Sequence, residues 1–106
     1  MVEQSLDSVF NALSDSTRRT LLREVAMGPR PVTELAKPFP MSLAAVSKHL
    51  DVLERASLIQ RKKHGKQRIV SLNSRPLEAA QDWLAFYQNF WSSGLDRLQT
   101  HFEQEP

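Results

Sequence analysis

Val32-Thr33-Glu34-Leu35-Ala36-Lys37-Pro38-Phe39-Pro40-Met41-Ser42-Leu43-Ala44-Ala45-Val46-Ser47-Lys48-His49-Leu50-Asp51-Val52-Leu53-Glu54-Arg55-Ala56 reads as two helices with a tight turn between them. Val32 to Lys37 has room for only a short helix, and Pro38 and Pro40 end it because proline lacks the N–H that would continue the ladder. Ser42 can cap the helix that follows, in which Leu43, Val46, Leu50 and Leu53 recur at helical spacing to about Ala56. Those apolar residues share one side. Ala44, Lys48 and Arg55 lie nearly opposite, with Ala45, Ser47 and His49 on the flanks. A short helix, a tight turn and a longer amphipathic helix form a helix-turn-helix layout.

Working outward, Leu6, Val9, Phe10 and Leu13 form the stripe of a first helix. The polar run Ser14 to Thr17 interrupts it, and Leu21, Leu22 and Val25 carry a second helix to about Ala26, which Gly28, Pro29 and Pro31 end. After Ser57 the periodicity changes. Leu58 to Lys63 and Gln67 to Leu72 are strand-like runs flanking His64-Gly65-Lys66, where Gly65 can take positive φ, and they predict a β-hairpin. Pro76 suits the first turn of a last helix running to about Phe102, roughly 40 Å at 1.5 Å per residue. The expected fold is mainly α with a small β-hairpin. It is a winged helix-turn-helix with added N- and C-terminal helices, residues 1–106 forming a single domain with a recognition helix at about 42–56 and a wing at about 59–72.

Net charge is only +2, but its distribution is uneven. Residues 1–76 hold 13 Lys and Arg against 7 Asp and Glu, whereas residues 77–106 hold Arg97 against 5 acids. The densest stretch is Gln60-Arg61-Lys62-Lys63-His64-Gly65-Lys66-Gln67-Arg68, with 5 Lys and Arg in nine residues and no acid. Protecting a sheet edge needs one or two lysines, so this density points to phosphates as the counter-charge. Double-stranded DNA is the partner such a pattern fits. Ser42, Ala44, Ala45, Ser47, Lys48 and His49 are expected to face base edges, since small residues allow close approach in a major groove. Arg61, Lys62, Lys63, His64, Lys66 and Arg68 are expected to hold the backbone.

In the last helix Ala80, Leu84, Tyr87, Trp91, Leu95, Leu98 and Phe102 are spaced by fours and threes, while Trp83, Phe86 and Phe90 sit on adjoining faces. Too much of its circumference is apolar for one chain to cover. A homodimer is expected, with Leu6, Val9 and Phe10 joining Leu84, Tyr87, Trp91, Leu95 and Leu98 at the interface. The alternative for Trp83, Phe86 and Trp91 is a pocket for a small-molecule effector whose identity the sequence leaves open.

Other classes find little support. The chain has no cysteine, no glycine-rich phosphate loop and no helical pair of histidines at metal spacing, so no catalytic residue, cofactor or metal is expected. Its longest apolar run, Trp83 to Tyr87, is far below the ~20 residues of a membrane span, and the start carries Glu3 and Asp7 rather than a basic, apolar leader. A cytoplasmic location is the expectation.

Three stretches together resemble the ArsR family of small dimeric winged-helix repressors: Phe10-Asn11-Ala12-Leu13-Ser14-Asp15-Ser16-Thr17-Arg18-Arg19, Val32 to Ala36, and Met41 to Ile59. The resemblance spans about Val9 to Glu103. It implies that the fourth helix reads DNA, that the hairpin is the wing, and that the first and last helices build the dimer. Metal-sensing members carry cysteines after the Glu-Leu of the third helix, where this chain has Ala36-Lys37-Pro38, and a second sensor type needs a histidine near Asp82, which Trp83 and Leu84 follow here. The chain therefore looks like the metal-independent subgroup. The function expected is a dimeric repressor on a palindromic promoter operator. The alternatives are a winged-helix protein-interaction module and a non-specific architectural DNA binder.

Overall fold

The computed structural model describes residues 2–104, with side-chain surroundings for 6–92. The elements run α1 (Val2–Ala12), α2 (Ser16–Ala26), β1 (Arg30–Pro31), α3 (Val32–Ala36), α4 (Leu43–Arg55), β2 (Ile59–His64), β3 (Gln67–Leu72) and α5 (Arg75–Gln104). Each boundary has a local cause. The carboxylate of Asp15 accepts the Arg18 N–H at 3.1 Å to cap α2, and the Ser42 hydroxyl accepts the Ala45 N–H at 3.1 Å to cap α4. At the other end of α4, Ser57 N–H donates to Glu54 O at 2.9 Å and Leu58 N–H to Leu53 O at 3.0 Å. This is a Schellman closure, and it holds Ser57 at φ +61°, a left-handed conformation usually filled by glycine.

The sheet has three antiparallel strands in the order β1-β3-β2. β1 goes beyond the expected hairpin. It is two residues long, pairs Arg30 with Val70 and Pro31 with Ile69, and can contain a proline because it is an edge. The hairpin forms as expected, turning at Gly65 with φ +66° and pairing Ile59 with Leu72, Arg61 with Val70 and Lys63 with Arg68.

One apolar core joins α1, α2, α3, α4, the base of the wing and the start of α5. It includes Val9, Leu21, Leu35, Val46, Leu50, Leu53, Leu58 and Val70, all at 2% exposure or less. Two expectations need correction here. Leu43 does not follow Val46, Leu50 and Leu53 inward; it stands 51% exposed, because it is the first residue of α4 and lies beyond the edge of the core. Val9, expected at a dimer interface, is instead enclosed by its own chain's core, whereas its neighbour Phe10 reaches the surface.

α5 leaves the body of the molecule. Ala80 is its last buried residue among those described, and from Gln81 to Ser92 every residue is exposed. The radius of gyration, 17.9 Å, exceeds the ~13 Å of a compact chain of this length because the helix projects.

Candidate nucleic-acid interface

The outer strip of α4 faces solvent beside the wing. Ser42, Ala44 and Lys48 are exposed or nearly so, and Ala45 and Ser47 flank them, as their positions opposite Val46, Leu50 and Leu53 require. Between α4 and the wing runs a groove of about 470 Å³, lined by Leu43, Ala44 and Ser47 of α4, by Arg61, Lys66, Gln67 and Arg68 of the wing, and by Pro31 to Thr33 at one end. No acidic side chain lines it.

Strand register sorts the wing cations. Arg61, Lys63 and Arg68 share the face that continues from Ile59 and Val70, whereas Lys62 points to the other face with Ile69. Lys63 and Arg68 are directly opposed across the two strands, a like-charge pair that costs stability in the isolated protein and is relieved by an anion. His64 and Lys66 stand exposed at the tip.

Two residues expected at the interface are committed elsewhere. The Arg61 side chain is only 9% exposed and is bound by Asp51 and Glu54, one turn apart on α4. Its charge is thus paired within the protein, and it ties the wing to the helix while lining the groove between them. Those hydrogen bonds hold the carboxyls of Glu54 and Asp51 below their ordinary range. An Arg in a basic run gives no sign of this. The only signal in the sequence is the Asp51–Glu54 pair itself, two acids at helical spacing beside a dense run of cations.

His49 likewise turns inward. Its Nδ1 lies 3.3 Å from Arg18 Nη1 and 3.8 Å from the Asp15 carboxylate, so it braces α4 against the corner between α1 and α2. The same Arg18 donates through Nε to Ala12 O at 2.7 Å and through Nη2 to Asn11 O at 3.1 Å, and Arg19 donates to Leu13 O at 2.7 Å. These arginines satisfy carbonyls at the end of α1 that have no helical partner. The Asp15 carboxyl is held below its ordinary range, chiefly by the Arg18 N–H.

At the opposite end of the molecule α5 carries an aromatic surface. Phe10 of α1 meets Trp83 edge to face with centroids 5.8 Å apart, and Trp83, Tyr87, Phe86 and Phe90 continue the chain of ring contacts at 5.0–6.2 Å. Trp83, Leu84, Phe86, Tyr87, Phe90 and Trp91 all remain 38–69% exposed. Leu95 and Leu98, expected on the same surface, lie outside the residues whose side chains are described.

A helix-turn-helix domain family matches residues 13–61, which run from the end of α1 to Arg61. The HTH-type transcriptional regulator Rv2034 of Mycobacterium tuberculosis is 38% identical over 92 residues, covering 87% of this chain and 83% of the relative. A crystal structure of an ArsR family transcriptional regulator, RHA00566, superposes with a TM-score of 0.77 at 40% identity, covering 86% of this chain and 94% of that one. The chain belongs to the ArsR family. The transcriptional repressor SdpR of Bacillus subtilis is a further relative, 31% identical over 84 residues, with 79% of this chain and 93% of the relative covered. The homodimeric winged helix-turn-helix domain of Mb0332 from Mycobacterium bovis shares the fold, with a TM-score of 0.65 at 22% identity over 89% of this chain and 84% of that one. This ArsR family member is a transcriptional regulator with a DNA-binding winged helix-turn-helix, not an enzyme. Among the described residues no helix is long and apolar enough to cross a membrane.

Proposed function

We propose that this ArsR family member is a cytoplasmic, dimeric repressor whose paired α4 helices enter successive major grooves of an imperfect palindrome. Half-sites would lie about 10 bp or a small multiple apart. The observation that carries this reading is the acid-free groove between α4 and the wing, with small side chains on one wall and Lys66 and Arg68 on the other. Ser42, Ala44, Ala45, Ser47 and Lys48 are positioned to select bases; Lys62, Lys63, His64, Lys66 and Arg68 to bind phosphates. Residues 1–106 act as one unit in this scheme.

Dimerisation is supported by the aromatic surface of α5. Exposed Trp, Phe and Tyr in one continuous patch favour burial against a second copy. The related SdpR is named a repressor and the Mb0332 domain a homodimer, which agrees with both parts of the proposal. An unidentified small molecule seated against Trp83 and Trp91, with Tyr87 rather than the expected Phe86 beside them, is the competing occupant, and binding there would change the dimer rather than the groove.

Selection of random duplexes by the purified protein, at about 150 mM salt with excess non-specific competitor, tests the proposal. A two-fold-symmetric motif is the expected result. Retention of duplexes with no shared motif would replace it with an architectural role, and failure to retain DNA would leave the wing facing an acidic protein.

A further inference from the structure

Leu43 is the one large apolar side chain on the DNA-facing end of α4. It is 51% exposed, although the next apolar positions on its side of the helix, Val46, Leu50 and Leu53, are fully buried. It contributes little to the core, and a polar residue would be better hydrated there. With Ala44 it gives the α4 side of the groove an apolar surface that Pro31 and Val32 continue at one end, and Arg61, Lys66 and Arg68 line the wing side, Arg61 being paired with Asp51 and Glu54.

An occupant matching both walls carries negative charge on one side and a small apolar group on the other. Within duplex DNA this combination occurs where a thymine presents its C5-methyl in the major groove beside its strand's phosphates. Cytosine has no methyl at that position. We propose, building on the DNA-binding reading above, that Leu43 and Ala44 recognise a thymine methyl in each half-site, Leu43 thus being a specificity-determining residue. Lys66 and Arg68 hold the adjacent backbone and Ser47 stays free for a polar base edge. Removing one methyl from an apolar contact weakens binding about fourfold.

The experiment starts from the duplex motif selected by the wild-type protein and replaces its thymines one at a time with deoxyuridine, which deletes only the methyl. Wild-type protein should lose about fourfold in affinity at one thymine per half-site. Leu43→Ala, which removes an exposed side chain from a helix and keeps helix propensity, should discriminate thymine from uracil at that position clearly less than wild type. Far-ultraviolet circular dichroism and the melting midpoint verify that the variant folds, and Leu43→Met should restore the discrimination. Uracil tolerated at every position by the wild type would overturn the proposal, as would a Leu43→Ala protein with the thymine preference intact. Failure to select any motif would instead remove the sequence-specific reading on which the proposal stands.

Discussion

Arg61 donates through Nε and Nη2 to one oxygen of Glu54, at 3.2 and 2.8 Å, while its own backbone N–H donates to the other oxygen at 3.2 Å. One carboxylate on α4 thus fixes both the side chain and the backbone where the wing begins. Replacing Arg61 with Ala leaves Glu54 and Asp51 facing each other without a cation. The expected loss is about 1–2 kcal/mol, discounted from a fully buried pair because both carboxylates are about 40% exposed. Urea denaturation measures it. Lysine at the same position should recover only part of the loss, since it cannot reproduce the planar fork; an unchanged midpoint for Arg61→Ala would refute the bracing role.

The same carboxylates make the fold sensitive to acid. Hydrogen bonds from Arg61 hold Glu54 below its ordinary 4.5 and Asp51 below its ordinary 3.8. A lowered folded value means that the stabilisation is complete above the ordinary value and is lost as pH falls through the folded one. Melting midpoints recorded downward from about pH 6 should therefore fall more steeply for wild type than for Glu54→Gln. Parallel curves would show that the clamp does not titrate with unfolding.

Ser57 occupies a left-handed position at φ +61°. Glycine should relieve that conformation and stabilise the protein by about 0.5–1 kcal/mol, partly offset by the freedom glycine adds to the unfolded chain. The hydrogen bond from Asn73 Nδ2 is made to the Ser57 carbonyl, at 2.7 Å, and survives the change. A lower melting midpoint for Ser57→Gly would contradict the assignment of strain.

Phosphate binding and base selection should separate by mutation. Lys63→Ala is expected to weaken all duplexes alike and to reduce the slope of log affinity against log salt by about 0.9 for each phosphate that is no longer neutralised. Ser47→Ala should leave that slope intact and change which duplex is preferred. Titrations at several salt concentrations distinguish the two; a Ser47 variant altering only the salt slope would remove base readout from α4.

Dimerisation is read by sedimentation velocity. Trp91→Asp places a charge where one chain leaves the residue 48% exposed, so the monomer should fold normally while the dimer dissociates. DNA affinity should fall with it, because two half-sites then bind independently. A Trp91→Asp protein that still sediments as a dimer would move the interface off this part of α5.

Most of the element order is legible from capping residues and apolar spacing, because Ser42, Asp15, Gly65 and the prolines act locally, within a few residues of the boundary they set. The outward strip of α4 follows from the same periodicity. Leu43 departs from expectation because periodicity assigns a face but not the place where the core ends. Arg61 and His49 depart for a different reason. Their partners, Asp51 with Glu54 and Arg18 with Asp15, belong to other elements, and the composition of a basic strand or a polar helix flank carries no trace of pairings made in three dimensions. β1 is two residues long and has no periodicity to detect.

Arg18 grips the last carbonyls of α1 and touches His49 on α4, so the helix leading to the aromatic surface and the helix proposed to read DNA are pinned at a common joint. In the proposed dimer, two such chains joined through α5 and α1 would behave as the arms of a pair of callipers. With each arm stiff at its joint, the opening between the reading tips depends on the angle at the hinge alone. The centre-to-centre distance of the half-sites then becomes a ruler for that angle, and any compound or substitution that alters the packing of Phe10 on Trp83 would be registered as a preference for a differently spaced operator.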